Sequence, residues 1–319
     1  MVLRRLRIYA ISFFLLGVCT NEIRAEGLRV VATIPPVHSL ASMVMKGVGT
    51  PDLLLKGTES PHDFAMRPSH VRLLTSADII IRVAQNLEGF LEKPLRTLPA
   101  STEIIELIKL PGMKLVKIRG DLHHEHGEAH DRESAPAHRT PPDKNGHTDV
   151  IDPHLWLDTD NASKIVTGIA NILSRKDPKN ASLYVDNAAA GVMRLAQLKK
   201  EVQTILNPVK TRSFLVFHHA YQYYLREFDL RMGAALILSH EIRPGARRLS
   251  EIRALIRDND VNCVFAEPQF SQGLVRTVVR GTTAKVGILD PLGSGLPRGA
   301  EQYPGLIKNL AQNLASCLR

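Results

Sequence analysis

Aromatic residues are scarce in this chain of 319 residues, at 5% with a single Trp. Modules that stack nucleic-acid bases on aromatic rings interleaved with basic stripes have no counterpart here, although the net charge is +9. The positive excess is scattered apart from Arg4, Arg5 and Arg7, so no nucleic-acid partner is expected. Long apolar runs are missing too. Beyond residue 18 no stretch approaches the roughly 20 residues that cross a bilayer as a helix. Cysteine is confined to Cys19, Cys263 and Cys317, with no C-x-x-C spacing, which excludes a zinc-thiolate site. His240-Glu241 has no second His at metalloprotease spacing, so a zinc hydrolase lacks its helix-borne base. What remains, 44% apolar and 23% charged, is a globular composition long enough for two domains.

The N-terminus has a clear pattern. Arg4, Arg5 and Arg7 precede an apolar run over residues 8–18, followed by Thr20, Asn21 and a small residue at Ala25. This predicts a signal peptide over 1–25 and an exported chain, because the run is too short for a retained anchor. Leu16-Gly17-Val18-Cys19 resembles a lipoprotein processing site, but Val18 stands where a small residue is required. In an oxidising compartment the remaining pair, Cys263 and Cys317, reads as a disulfide that ties the C-terminal tail to a core strand.

Short apolar runs at 28–34, 77–83, 214–217, 234–238, 261–265 and 285–289 predict buried strands of mostly parallel sheets. Helical patterns occupy 39–46, 69–74, 87–96, 221–228 and 250–258. Alternation of this kind means α/β. One longer helix is expected over 180–206, with Leu195, Leu198, Val202 and Ile205 spaced three and four apart and Asn207-Pro208 ending it. Strands lie on both sides of it. The expected architecture is therefore two Rossmann-like lobes, 26–158 and 208–319, joined by a helical linker over 159–207.

Six of the 13 His fall in one biased segment, residues 121–150: His123, His124, His126, His130, His138 and His147. Prolines and carboxylates surround them, with almost nothing to bury, so a mobile loop is expected. Neutral imidazoles among carboxylates attract divalent cations, which makes the loop an auxiliary metal collector. Outside it, His62 sits in Ser60-Pro61-His62-Asp63 and His154 in Asp152-Pro153-His154-Leu155-Trp156. His218 and Asp290 each directly follow an expected strand, and ligands of open α/β sheets bind at the carboxyl ends of strands. His38, His70 and His240 lack such context and read as structural or surface residues.

Several segments resemble one family. They are Ala32-Thr33-Ile34-Pro35-Pro36, Pro61-His62-Asp63 with Arg67-Pro68-Ser69, Asp152-Pro153-His154-Leu155-Trp156-Leu157, Phe217-His218-His219-Ala220-Tyr221, Phe265-Ala266-Glu267-Pro268-Gln269-Phe270 and Leu289-Asp290-Pro291-Leu292-Gly293. Together they are similar to the ZnuA-type periplasmic zinc-binding proteins, the substrate-binding components of ABC metal importers. The resemblance spans the mature chain, including the position of the His-rich segment and the Cys263/Cys317 pair. It implies two α/β lobes bridged by one rigid helix, and one metal ion in the cleft between them. It also implies His62 and His154 as ligands from the first lobe, His218 from the second, and Asp290 as a carboxylate ligand. Two departures stand out. Pro61 replaces the Glu that some relatives carry before the first ligand, so Asp290 or water must complete the set. His218-His219 replaces the usual His-Asp.

The chemistry agrees independently. Three imidazoles with one carboxylate or water suit Zn²⁺, whereas a carboxylate-rich set suits Mn²⁺. The expected function is zinc capture in the periplasm and delivery to an inner-membrane ABC permease with its cytoplasmic ATPase, by a monomer that is not an enzyme. A manganese-binding protein or adhesin of the same fold is the alternative.

Overall fold

The computed structural model describes residues 27–118, 150–236 and 245–319. Two four-stranded parallel sheets form the frame. The first contains β1 (Val30–Ala32), β2 (Asp52–Leu53), β3 (Ile79–Arg82) and β4 (Glu103–Glu106), in the order β2-β1-β3-β4. The second contains β5 (Phe214–Val216), β6 (Met232–Ala235), β7 (Cys263–Ala266) and β8 (Lys285–Ile288), in the order β6-β5-β7-β8. Both lobes thus use one winding. In each, the order reverses between the first and third strands, and that reversal opens a crevice at the strands' carboxyl ends.

The central strands are buried throughout and apolar except for Arg82 at the end of β3, as Val30, Val31, Ile79, Ile80 and Val264 show. The edge strands β2 and β4 escaped the sequence reading for a physical reason. β2 has only two residues, and β4 is just two isoleucines between two glutamates, with Ile104 exposed and Ile105 buried, so neither presents an apolar run of strand length.

The helices are α1 (Pro35–Val44), α2 (Pro68–Thr75), α3 (Glu92–Leu95), α4 (Thr159–Lys176), α5 (Ala181–Leu206), α6 (Gln222–Phe228), α7 (Ala246–Asp258), α8 (Gly273–Val279) and α9 (Gln302–Leu318). α1 starts four residues before the expected position because Pro35 and Pro36 occupy its first turn, where the missing N–H costs nothing. The helix expected over 87–96 is broken into a 3₁₀ turn (Gly89–Leu91) and the single turn α3. Gly89 and Pro94 in so short a stretch account for that. α4, α8 and α9 were not anticipated individually. Asp158 caps α4 by accepting from the Asn161 amide at 2.8 Å.

α5 joins the two lobes. It buries Tyr184, Ala188, Gly191, Leu195, Leu198, Val202 and Leu206, spaced three and four apart, against α1, α4 and α9. α9 returns from the second sheet and packs on α1 and α5, and Tyr303 at its start donates its amide proton to Ser39 Oγ of α1 at 2.8 Å. One apolar core therefore runs from lobe to lobe. The disulfide expected from the sequence is present: Cys263 in β7 is bonded to Cys317 in α9, with their Cα atoms 6.1 Å apart.

Glu88 is wholly buried beneath the ends of β1 and β3. Its Oε2 accepts from the amides of Val83 at 2.8 Å and Ala84 at 3.1 Å, and Thr33 Oγ1 donates to Oε1. Burial outweighs these bonds and pushes the carboxyl up to about 7, against 4.5 in an open chain. Between those values the folded state holds a proton that the unfolded state lacks, so this group's contribution to stability falls as pH rises through the window. Thermal unfolding of the metal-free protein from pH 5 to 8 should show this decline, and Glu88→Gln should flatten it. An unchanged slope in the variant would refute the assignment.

Candidate metal centre

The loop that follows β2 delivers His62 into the crevice between the lobes. His154 caps the 3₁₀ turn Leu155–Leu157 just ahead of α4. His218 comes two residues after β5, in the position expected for a ligand of a parallel sheet. The three side chains converge from separate parts of the chain, each offering a nitrogen within 4.8 Å of the others. His62 Nε2 and His154 Nε2 lie 3.3 Å apart. That separation is the edge of a tetrahedron whose centre is about 2.0 Å from each corner, the usual zinc–imidazole distance. The His218 ring centre is 5.9 Å from that of His62 and 5.3 Å from that of His154.

Two carboxylates set the direction of these rings. Asp152 Oδ1 takes the Nδ1 proton of His154 at 2.7 Å, and Glu267 Oε1 takes that of His218 at 2.7 Å. An ionised carboxylate only accepts, so Nδ1 carries the proton in each ring and Nε2 is the unprotonated nitrogen, the form in which imidazole can bind a metal. Asp152, Glu267, His154 and His218 are all buried. Asp152 is also held from the second lobe: Gln222 Nε2 donates to its Oδ2 at 3.2 Å and Tyr223 Oη to its backbone carbonyl at 2.8 Å. Neither carboxylate was assigned a role from the sequence. The signal was present, since Glu267 directly follows β7 as His218 follows β5, and Asp152 lies two residues before His154.

Asp290, expected to complete the ligand set, is not brought into the trio. Its Oδ1 accepts from Gln269 Nε2 at 2.8 Å and from the amides of Leu292 and Gly293, both at 3.0 Å. Its Oδ2 accepts from the amide of Ser294 at 2.7 Å and the hydroxyl at 2.6 Å. Four donors of the loop after β8 thus fold around this carboxylate, Gln269 adds a fifth from the segment after β7, and Gly293 permits the turn with φ of +64°.

His219 does not join the cluster either. It is half-buried, its Nε2 has no hydrogen-bond partner among the described residues, and burial followed by the neighbouring His218 pushes its pKa down. His38 is buried, with Nε2 at 2.9 Å from the Pro51 carbonyl, and His70 Nδ1 accepts from the Arg67 amide at α2, so both are structural. His123, His124, His126, His130, His138, His147, His240, Cys19 and the segment 1–25 lie outside the described residues.

A second acidic group, Asp158, Asp160 and Glu227, is already balanced by cations. Lys199 Nζ of α5 lies 2.9 Å from Asp160 and 3.1 Å from Glu227, and Lys114 Nζ lies 2.5 Å from Asp160. Glu227 also accepts from the Thr159 amide at 2.8 Å. This network rivets α6 to the start of α4 and to the joining helix.

The profile of the family described as zinc-uptake complex component A, periplasmic, matches residues 30–317. The chain belongs to the ZnuA family. Members similar to it include the high-affinity zinc uptake system protein ZnuA of Brucella abortus, 37% identical over 98% of both chains. The protein of that name from Yersinia pestis is 34% identical over 94% of both. Among solved structures, a crystal structure of ZnuA shares the fold with a TM-score of 0.75 at 23% identity, over 92% of this chain and 100% of that one. The laminin-binding protein Lmb of Streptococcus agalactiae, described as bifunctional with adhesin and metal transporting activity, does so with a TM-score of 0.73 at 22% identity, over 92% and 100%. The family is one of uptake components, so a transport role rather than catalysis is what this ZnuA-family chain inherits.

Proposed function

We propose that the chain captures zinc between its lobes and delivers it to an ABC permease driven by a cytoplasmic ATPase. The carrying observation is the convergence of His62, His154 and His218, with two ring nitrogens at tetrahedral spacing and two rings oriented by buried carboxylates. An all-nitrogen protein set favours zinc over manganese, which prefers oxygen. The curated relatives are named as zinc uptake proteins, which supports the same role for this chain.

On this reading residues 1–25 direct export to the periplasm, 26–158 and 208–319 form the two lobes, and 159–207 link them. The His-rich segment 121–150 collects further ions more weakly. Among the described residues no helix is long and apolar enough to cross a membrane. The mature chain works as a monomer.

Imidazole binds metal only when neutral, and its unperturbed pKa is about 6.5. The sign follows directly: protons compete for all three ligands as pH falls, so zinc affinity should drop steeply between pH 7.5 and 5. Calorimetric titration of the metal-stripped protein across that range checks this. Flat binding would rule out the imidazole centre.

A further inference from the structure

Two of the three imidazoles lie at the ends of ordered elements, beside the buried carboxylates that orient them. His62 instead rides on a loop over residues 56–63. Upstream of it Leu55 donates its amide proton to the Thr33 carbonyl at 3.0 Å, and downstream the Phe64 ring meets that of Phe90 with centres 5.0 Å apart. Inside the loop the bonds are local: Thr58 Oγ1 donates to Glu59 Oε2 at 3.3 Å, and the His62 amide to Ser60 Oγ at 3.3 Å. What holds the loop decides where His62 meets an ion, given the metal-centre reading above, on which this inference rests.

The second lobe takes hold of this loop at Gly57. Gln269 Nε2 donates to the Gly57 carbonyl at 3.1 Å and to Asp290 Oδ1 at 2.8 Å. Two acceptors on that side establish which end of the amide is nitrogen. Gly57 is buried and has a φ of +96°, and a Cβ there would stand 3.0 Å from Pro35 Cγ of α1 and 3.2 Å from Ser294 Cα. Ser294 is itself fixed, its amide donating to Asp290 Oδ2 at 2.7 Å. Gly57 is thus wedged between the lobes, in a place that only a residue without a side chain fits.

One short segment after β7 serves ligands from both lobes. Glu267 orients His218, and Gln269, two residues on, reaches the loop of His62. The Phe270 amide closes this turn on the Glu267 carbonyl at 3.2 Å, and the Phe270 ring stacks on that of Phe217, with centres 4.7 Å apart. Gln269 therefore projects from a pinned turn and is a firm point of attachment. It also borders the cavity that the three imidazoles line.

We propose that Gln269 is the positioning residue for His62: by holding the Gly57 carbonyl it keeps the loop against the second lobe, with His62 in range of the ion, and so lengthens the ion's stay. An amide suits this post because it must donate to two oxygens at once. An ionised carboxylate only accepts, and an alkyl group does neither. Loss of the amide leaves the Gly57 carbonyl buried without that donor and loosens the loop, while His154 and His218 keep their carboxylates. An interaction that tightens an already bound site acts mainly on departure, so the effect falls on zinc release rather than on uptake.

The test is stopped-flow release of zinc from the full mature protein to an excess of a chromogenic chelator, for the parent, Gln269→Leu, Gly57→Ala and the double variant. Gln269→Leu should speed the slow phase of release about 10–100-fold, the usual cost of losing a partner one layer outside the metal, with the rate of uptake little changed. Gly57→Ala, which pushes the same loop away from Pro35 and Ser294, should do likewise. The double variant should release no faster than the faster single one, because both changes undo one contact. Tyr184→Phe, which removes a buried hydrogen bond to Asp177 between α4 and α5, should lower the unfolding midpoint without altering release, so lost stability alone does not imitate the result. Fully multiplicative effects in the double variant, or a parent-like release rate in Gln269→Leu, would overturn the assignment while leaving zinc capture intact. A slow phase that survives loss of all three imidazoles would overturn both.

Discussion

Combining His62→Ala, His154→Ala and His218→Ala should abolish the single tight zinc site, with a loss well beyond about 100-fold, since changes one layer further out already cost 10–100-fold. Nothing else among the described residues can substitute. The only other grouping of metal-binding side chains there, Asp158, Asp160 and Glu227, is neutralised by Lys114 and Lys199. The rings of His154 and His218 line a cavity rather than the apolar core, but their loss strips Asp152 and Glu267 of a donor, so a far-ultraviolet circular dichroism spectrum matching the parent's is the control that the fold is kept. Weak binding should persist through the imidazoles of the 121–150 segment. An isotherm identical to that of the parent would move the metal out of the cleft and into that segment.

The second large effect concerns stability. Trp156 is fully buried and is the only Trp in the chain. Its ring abuts His154, with centres 5.3 Å apart. Its Nε1 donates to the Pro291 carbonyl of the second lobe at 2.9 Å, and its own carbonyl accepts from Tyr303 Oη of α9 at 2.7 Å. Trp156→Ala should therefore cost about 3–5 kcal/mol from the cavity alone, enough to lower the midpoint of chemical denaturation markedly. Trp156→Phe restores most of the volume but orphans the Pro291 carbonyl, so its loss should be smaller, about 1–3 kcal/mol. Equal stability of the alanine variant and the parent would contradict this placement. The same side chain gives the parent a single tryptophan beside His154, whose emission, excited selectively at the red edge, should respond to metal.

Much of this was legible in the sequence, and the failures have causes. The central strands, the joining helix and the three imidazoles announce themselves through apolar runs, helical spacing and the position of His218 after a strand. β2 and β4 do not, because edge strands need no continuous apolar face. α9 carries readable spacing in Leu306, Leu310 and Leu314, but no local pattern says that it packs on α1, on the far side of the chain. Asp290 misled because a carboxylate after a strand looks alike whether it faces a ligand or its own loop. Only folding shows that Leu292, Gly293 and Ser294 turn back upon it. Asp152 and Glu267 went unassigned because their meaning depends on which ring each one meets.

If zinc binds as proposed, the division of the three imidazoles between lobes has a mechanical consequence. His62 and His154 ride with one half of the molecule and His218 with the other, while Trp156–Pro291, Gln222–Asp152 and Thr159–Glu227 contacts hold the halves together. A bond to zinc is about 2 Å long and weakens over a fraction of that length. Sliding the halves by even an ångström would therefore strip one imidazole from the ion. A membrane partner that gripped both halves, as the proposed delivery requires, would have leverage: a small strain would shorten the ion's residence time, with no need for the cleft to open wide.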